Sequence, residues 1–116
     1  MSVTIYGIRN CDTMKKARLW LDQNGIAYRF HDYKAEGIDA DRLSRWCGKA
    51  GWEKVLNRAG TTFRGLQEED KAGLDQRKAV ALMLAQPSMI KRPVLEEGDR
   101  LEIGFKPDLY AAFFGK

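Results

Sequence analysis

Val3-Thr4-Ile5-Tyr6-Gly7-Ile8 is a short apolar run rich in β-branched residues, the pattern of a strand buried on both faces. After a short turn, Met14, Ala17 and Leu21 recur at helical spacing with Trp20 beside them. Asn24-Gly25 ends that helix, because glycine accepts the left-handed conformation a helix terminus needs. Ile26, Tyr28 and Phe30 then alternate with Ala27, Arg29 and His31, which predicts a second strand. Strand, helix and strand in so short a stretch leave one economical arrangement, a parallel pair joined by a right-handed crossover.

The middle of the chain follows another rule. Leu43, Trp46, Cys47 and Ala50 fall at i, i+3, i+4 and i+7, one face of a helix that Asp39 or Asp41 is placed to cap. A weaker helical piece is expected through Trp52, Val55 and Leu56. Between Asn57 and Gly73 glycine and threonine punctuate the chain and no long period survives. Ala79, Val80, Met83 and Leu84 form another helical face that ends before Pro87. Past Pro93 the pattern returns to sheet: Val94-Leu95-Glu96 and Arg100-Leu101-Glu102-Ile103 flank Glu97-Gly98-Asp99, a hairpin loop. Pro107 suits the first turn of a last helix carrying Leu109, Tyr110, Phe113 and Phe114. The order β-α-β, helical block, β-β-α predicts an α/β chain with a thioredoxin-like fold. Residues 1–116 read as one domain, with residues 39–90 an all-helical insertion within it.

The chain of 116 residues carries 20 basic and 16 acidic side chains, a net charge of +4. The two signs are interleaved, so nucleic acid is not the expected partner; small anions suit this modest positive field as well. Two cysteines and one histidine are too few for a disulfide scaffold or for the usual zinc sets, and no metal is expected. No apolar run reaches membrane-spanning length. Met1-Ser2-Val3-Thr4-Ile5-Tyr6 lacks the basic-then-apolar pattern of a signal peptide. A cytoplasmic monomer is expected, with its cysteines as thiols.

Cys11 is the residue with chemistry to offer. It stands between the first strand and the first helix, where free backbone N–H groups and the helix dipole favour thiolate. Met14 occupies the place where a Cys-x-x-Cys pair would put its second sulfur, so the short disulfide of a dithiol enzyme cannot form. Cys47 lies on an apolar helix face and reads as structural. A mechanism with one cysteine needs a resolving thiol from elsewhere, such as glutathione or a partner protein. Lys91-Arg92-Pro93 precedes the third strand, a segment that a thioredoxin-like topology brings beside Cys11. Pro93 is a candidate for the cis form, and Arg92 offers a guanidinium fork to oxyanions or carboxylates. Arg58, Arg64 and Lys106 are further cations, each more readily explained as solvated surface. His31, set in an alternating strand, reads as structural.

With these residues in view, the chain resembles the arsenate reductase family that also contains the Spx transcriptional regulators, and most closely its YffB-type branch. The matching stretches are Ile5-Tyr6-Gly7-Ile8-Arg9-Asn10-Cys11-Asp12-Thr13-Met14-Lys15-Lys16-Ala17, Gly25-Ile26-Ala27-Tyr28 and Ile90-Lys91-Arg92-Pro93. The resemblance implies that Cys11 is the nucleophile, that Pro93 is cis, and that Arg58, Arg92 and Lys106 stand at the three cation positions around it; with Asn10 and Pro93 these are the expected anion-binding residues. Family members that reduce arsenate use three arginines and a histidine. Here Lys106 stands at one arginine position and Gly7 at the histidine position, differences that tell against arsenate as substrate. A lysine still serves a carboxylate, so glutathione is the expected co-substrate, with no bound cofactor. A protein disulfide or glutathionylated protein is the expected second substrate. The other two readings are a regulator of the Spx kind that binds RNA polymerase or another protein, and arsenate reduction itself.

Overall fold

A computed structural model of the chain describes residues 2–116. It comprises two compact units, one made of the chain up to Glu36 together with Arg92–Lys116, the other of Gly37–Lys91.

The first unit is a four-stranded mixed sheet with helices. Strand β1 is Val3–Gly7, followed by α1 (Asp12–Gln23), β2 (Arg29–Asp32) and the single turn α2 (Tyr33–Glu36). After the second unit come β3 (Val94–Glu97), β4 (Arg100–Ile103) and, at the end of the chain, a helix at Pro107–Phe114. The strand order is β2-β1-β3-β4. β1 and β2 pair in parallel, with Thr4 opposite Arg29 and Gly7 opposite Asp32. β3 lies antiparallel to both β1 and β4. β1 is therefore an inner strand, which is why Val3, Ile5, Tyr6 and Gly7 are all buried. This is the α/β, thioredoxin-like arrangement that the sequence predicts.

Helix α1 buries Met14, Ala17 and Leu21 against Val3, Ile5, Leu95 and Tyr110, with Trp20, Phe105 and Phe114 packed around them. It ends where Asn24-Gly25 predicts. Gly25 takes a φ of 68°, and the N–H of Ile26 reaches back to the carbonyl of Leu21 at 3.0 Å, closing the helix with a left-handed cap. The Tyr110 hydroxyl is buried in this core without a hydrogen-bond partner. Burial first, and the nearby charge of Glu102 second, push its pKa up, so it is a neutral phenol.

β2 differs from the sequence expectation. It begins at Arg29, not Ile26, and its buried side chain is His31. The reason is register: the ladder begins where Arg29 pairs with Thr4, near the start of β1, and residues 26–28 precede the paired stretch. Ile26, Tyr28 and Phe30 are half-buried and pack on the core instead. His31 lies in an aromatic cluster, its ring 4.9 Å from that of Tyr6 and 6.4 Å from that of Tyr33.

The second unit is helical. It contains α3 (Ala40–Ala50), α4 (Trp52–Val55), α5 (Thr61–Arg64), α6 (Glu68–Lys71), α7 (Gln76–Ala85) and a 3₁₀ turn at Pro87–Met89. Asp39 caps α3, its carboxylate accepting the Arg42 N–H at 2.7 Å. Asp75 caps α7 in the same way, accepting from the Lys78 N–H at 2.8 Å. Leu43, Trp46 and Cys47 form the buried face of α3, which packs on α4 and α7. Trp46 is fully buried, and deleting such a side chain typically costs about 3–5 kcal/mol. The stretch without long periodicity folds as two isolated turns, α5 and α6, too short to leave a periodic trace. Among the described residues, no helix is long and apolar enough to cross a membrane.

Candidate active site

Numbered in chain order, the helix at Pro107–Phe114 is α8, and its start, the end of β1 and the start of β3 carry the residues of interest. Residues 8–11 join β1 to α1. Cys11 is the N-cap of α1, with an extended backbone at φ −138° and ψ 127°. Its carbonyl accepts the Lys15 N–H at 3.0 Å, so helical bonding starts at the cysteine itself. The side chain is half-buried and packs against the core cluster that contains Met14.

The electrostatics at the sulfur are a contest. Burial is the largest single influence and raises the thiol pKa. Against it act the Met14 N–H, the Arg92 side chain hydrogen-bonding to the sulfur, the Thr13 N–H and the Arg92 charge; together they hold Cys11 below the usual thiol range. No conventional side-chain cap hydrogen bond closes on Cys11, so the helix N–H groups act as aligned donors at the helix end rather than as a tight cap. The thiolate is therefore stabilised by a helix end and a guanidinium together, as nucleophilic cysteines require.

Cys47 is the opposite case. It is buried, and burial alone pushes its pKa up, so it stays a protonated and poorly nucleophilic thiol. With Cys47 replaced by alanine, the rate of alkylation against pH reports Cys11 alone. The rate is expected to rise with pH through a midpoint below the roughly 8.5 of a free cysteine. A midpoint at or above that value contradicts the activated thiolate.

Of the cations singled out from the sequence, Arg92 hydrogen-bonds to the sulfur. It also interacts electrostatically with Tyr33, the first residue of α2, which is fully buried. The Arg92–Pro93 peptide bond is cis, and the Pro93 carbonyl accepts the Gly104 N–H at 2.8 Å. Lys106 is the N-cap of α8 in the same unit and is exposed, as is Asn10 in the loop before the cysteine. Arg58 belongs to the second unit, where its guanidinium lies over the Trp52 ring, 5.5 Å from the centroid. Among the described residues, no group of three or more His, Cys, Asp or Glu side chains is arranged to hold a metal ion.

Two features of the site were not read from the sequence. Tyr33 carries no motif; it is found only through the Arg92 beside it. The other is the seat of Met14 on Gly7, where a Cβ added to the glycine would meet the Met14 thioether. A glycine at a strand end next to a buried helix is a known sign of close approach, and that was the available signal.

The chain is similar over its length to a solved structure named YFFB protein, with 67% identity and a TM-score of 0.94 over 96% of this chain and 97% of that one. It is also similar to an arsenate reductase related protein from Brucella melitensis, at 61% identity and a TM-score of 0.79, covering 98% of this chain and 95% of the other. The global transcriptional regulator Spx of Streptococcus mutans is 26% identical over 96% of this chain and 82% of its own length. The model of the ArsC family matches residues 6–113, and the chain belongs to that family.

Proposed function

We propose that the protein is a cytoplasmic, monomeric thiol reductase that uses glutathione and a single catalytic cysteine, Cys11. The observation that carries this reading is a half-buried cysteine held toward thiolate by a helix end and by Arg92, with Met14 where a second cysteine would stand. The Cys11 thiolate attacks the glutathionyl sulfur of a mixed disulfide on a substrate protein. The sulfur–sulfur bond breaks, the substrate sulfur leaves as thiolate and takes a proton from water, and Cys11 holds glutathione as a new mixed disulfide. The thiolate of a second glutathione attacks the glutathionyl sulfur of that adduct, forming glutathione disulfide and returning Cys11 as thiolate. Substrate thiol and glutathione disulfide are the products, and no bound cofactor enters the balance.

Arg92 has two tasks in this scheme. Its charge lowers the cost of the thiolate on Cys11, and its fork suits a carboxylate of glutathione. Lys106 and Asn10 are proposed as further contacts to the anion. The similarity to Spx supports a second reading, in which the chain binds a protein such as RNA polymerase and catalyses nothing. Arsenate reduction is the third, supported by the family.

Steady-state kinetics of the purified protein separate the three. With glutathione as reductant, turnover of a glutathionylated peptide is expected, and little or none of arsenate. Turnover of arsenate alone would replace the first reading with the third. No turnover of either, together with binding to purified RNA polymerase, would establish the second.

A further inference from the structure

Met14 does two things at once. Its backbone N–H acts on the Cys11 sulfur, while its side chain lies on the backbone of Gly7 at the end of β1. A Cβ at position 7 would collide with the Met14 Sδ and would lie 2.8 Å from Cε and 3.1 Å from Cγ. Carbon atoms in normal contact sit at about 3.5–4.0 Å, so three consecutive atoms of the methionine arm stand in that space. A flexible methionine tip ordinarily swings aside. This one is 1% exposed and belongs to a buried cluster with Val3, Ile5, Ala17, Leu21, Leu95 and Tyr110, so moving it disturbs packed neighbours. Gly7 has no left-handed φ to explain it; what it supplies is absence of a side chain.

We propose that Gly7 and Met14 form a positioning pair, in which the missing side chain at position 7 leaves Met14 the room that the first turn of α1 needs to dock onto β1, and so keeps the Thr13 and Met14 N–H groups aimed at Cys11. Neither side chain touches a substrate. The close approach is a tertiary fit: filling the space over residue 7 pushes Met14, and the backbone N–H that Met14 carries moves with it. Arg92 is the charged group acting on the sulfur. The inference rests on Cys11 being the reactive thiolate.

The test measures the Cys11 alkylation midpoint in a Cys47→Ala background for the parent, Gly7→Ala and Gly7→Ala/Met14→Ala, with circular dichroism to confirm folding. Gly7→Ala is expected to raise the midpoint by about one pH unit, the scale of one weakened charge-assisted donor. The double variant removes the colliding arm, so its midpoint is expected to return to within about 0.3 unit of the parent. A folded Gly7→Ala with the parental midpoint overturns the pair, because the contact is then packing alone. A folded double variant that keeps a raised midpoint overturns it as well. If Gly7→Ala does not fold, the double variant decides: a parental midpoint supports the pair and a raised one refutes it. The parent's own midpoint separately tests whether Cys11 is an activated thiolate, so failure of that reading is distinguishable from failure of the pair.

Discussion

Cys11→Ser is expected to reduce turnover with glutathione to the uncatalysed background, a loss on the order of a thousandfold or more. The reason is covalent. A serine oxygen cannot form the mixed disulfide through which substrate and glutathione are processed in turn, and its hydroxyl is not ionised at neutral pH. The helix end and Arg92 that favour a charged sulfur cannot compensate for a missing sulfur. Cys47→Ala gives the contrasting result. Burial keeps that thiol protonated on the apolar face of α3, so turnover is retained and stability falls by about 1–2 kcal/mol. Steady-state kinetics of both variants, paired with urea unfolding, check the division of labour. Dependence of turnover on Cys47 contradicts the single-cysteine scheme.

The next largest effect is expected at Arg92. Losing a charge-assisted hydrogen bond costs about 1.5–3 kcal/mol, so Arg92→Ala is expected to lower catalytic efficiency roughly tenfold to a hundredfold. The pH dependence gives the sign. Arg92 hydrogen-bonds to Cys11 and lowers its pKa, so the variant's midpoint moves to higher pH. The deficit is then greatest below the parental midpoint and shrinks as pH rises through the variant's own. Whatever deficit persists at high pH, where both sulfurs are ionised, belongs to binding of the anion. Arg92→Lys keeps the charge without the two-pronged fork, so it is expected to recover part of the pH shift and little of the binding. A pH–rate profile of the three proteins checks this. A wild-type profile for Arg92→Ala removes the residue from the site.

The parts of the fold that were legible in the sequence are those written in local periodicity. β1 reads as a doubly buried run because it is an inner strand of the sheet. α1 is framed by its apolar spacing and by Asn24-Gly25, and α3 by Asp39 and the Leu43, Trp46 and Cys47 face. Alternation from Ile26 continues the strand pattern, while the ladder starts only at Arg29, opposite Thr4. Single turns such as Tyr33–Glu36 and Thr61–Arg64 are shorter than one helical repeat of apolar residues and leave no period to detect. In the site, Cys11 was legible from its place between strand and helix. Arg92 was legible only after the topology had been inferred, since nothing in Lys91-Arg92-Pro93 names its partner. Arg58 shows the limit of reading cations singly: its guanidinium has the Trp52 ring beneath it, a pairing that no spacing rule predicts. The fit of Met14 over Gly7 is tertiary, between residues seven apart in the chain and on different elements.

Mass spectrometry of the intact protein after exposure to glutathione disulfide, followed by peptide mapping, tests the central claim most directly. One glutathione is expected on Cys11, none on Cys47, and reduced glutathione is expected to release it and regenerate the free thiol. Absence of the adduct on Cys11, or accumulation of a disulfide between Cys11 and Cys47 in its place, contradicts a reductase that works through one cysteine and a glutathione from solution.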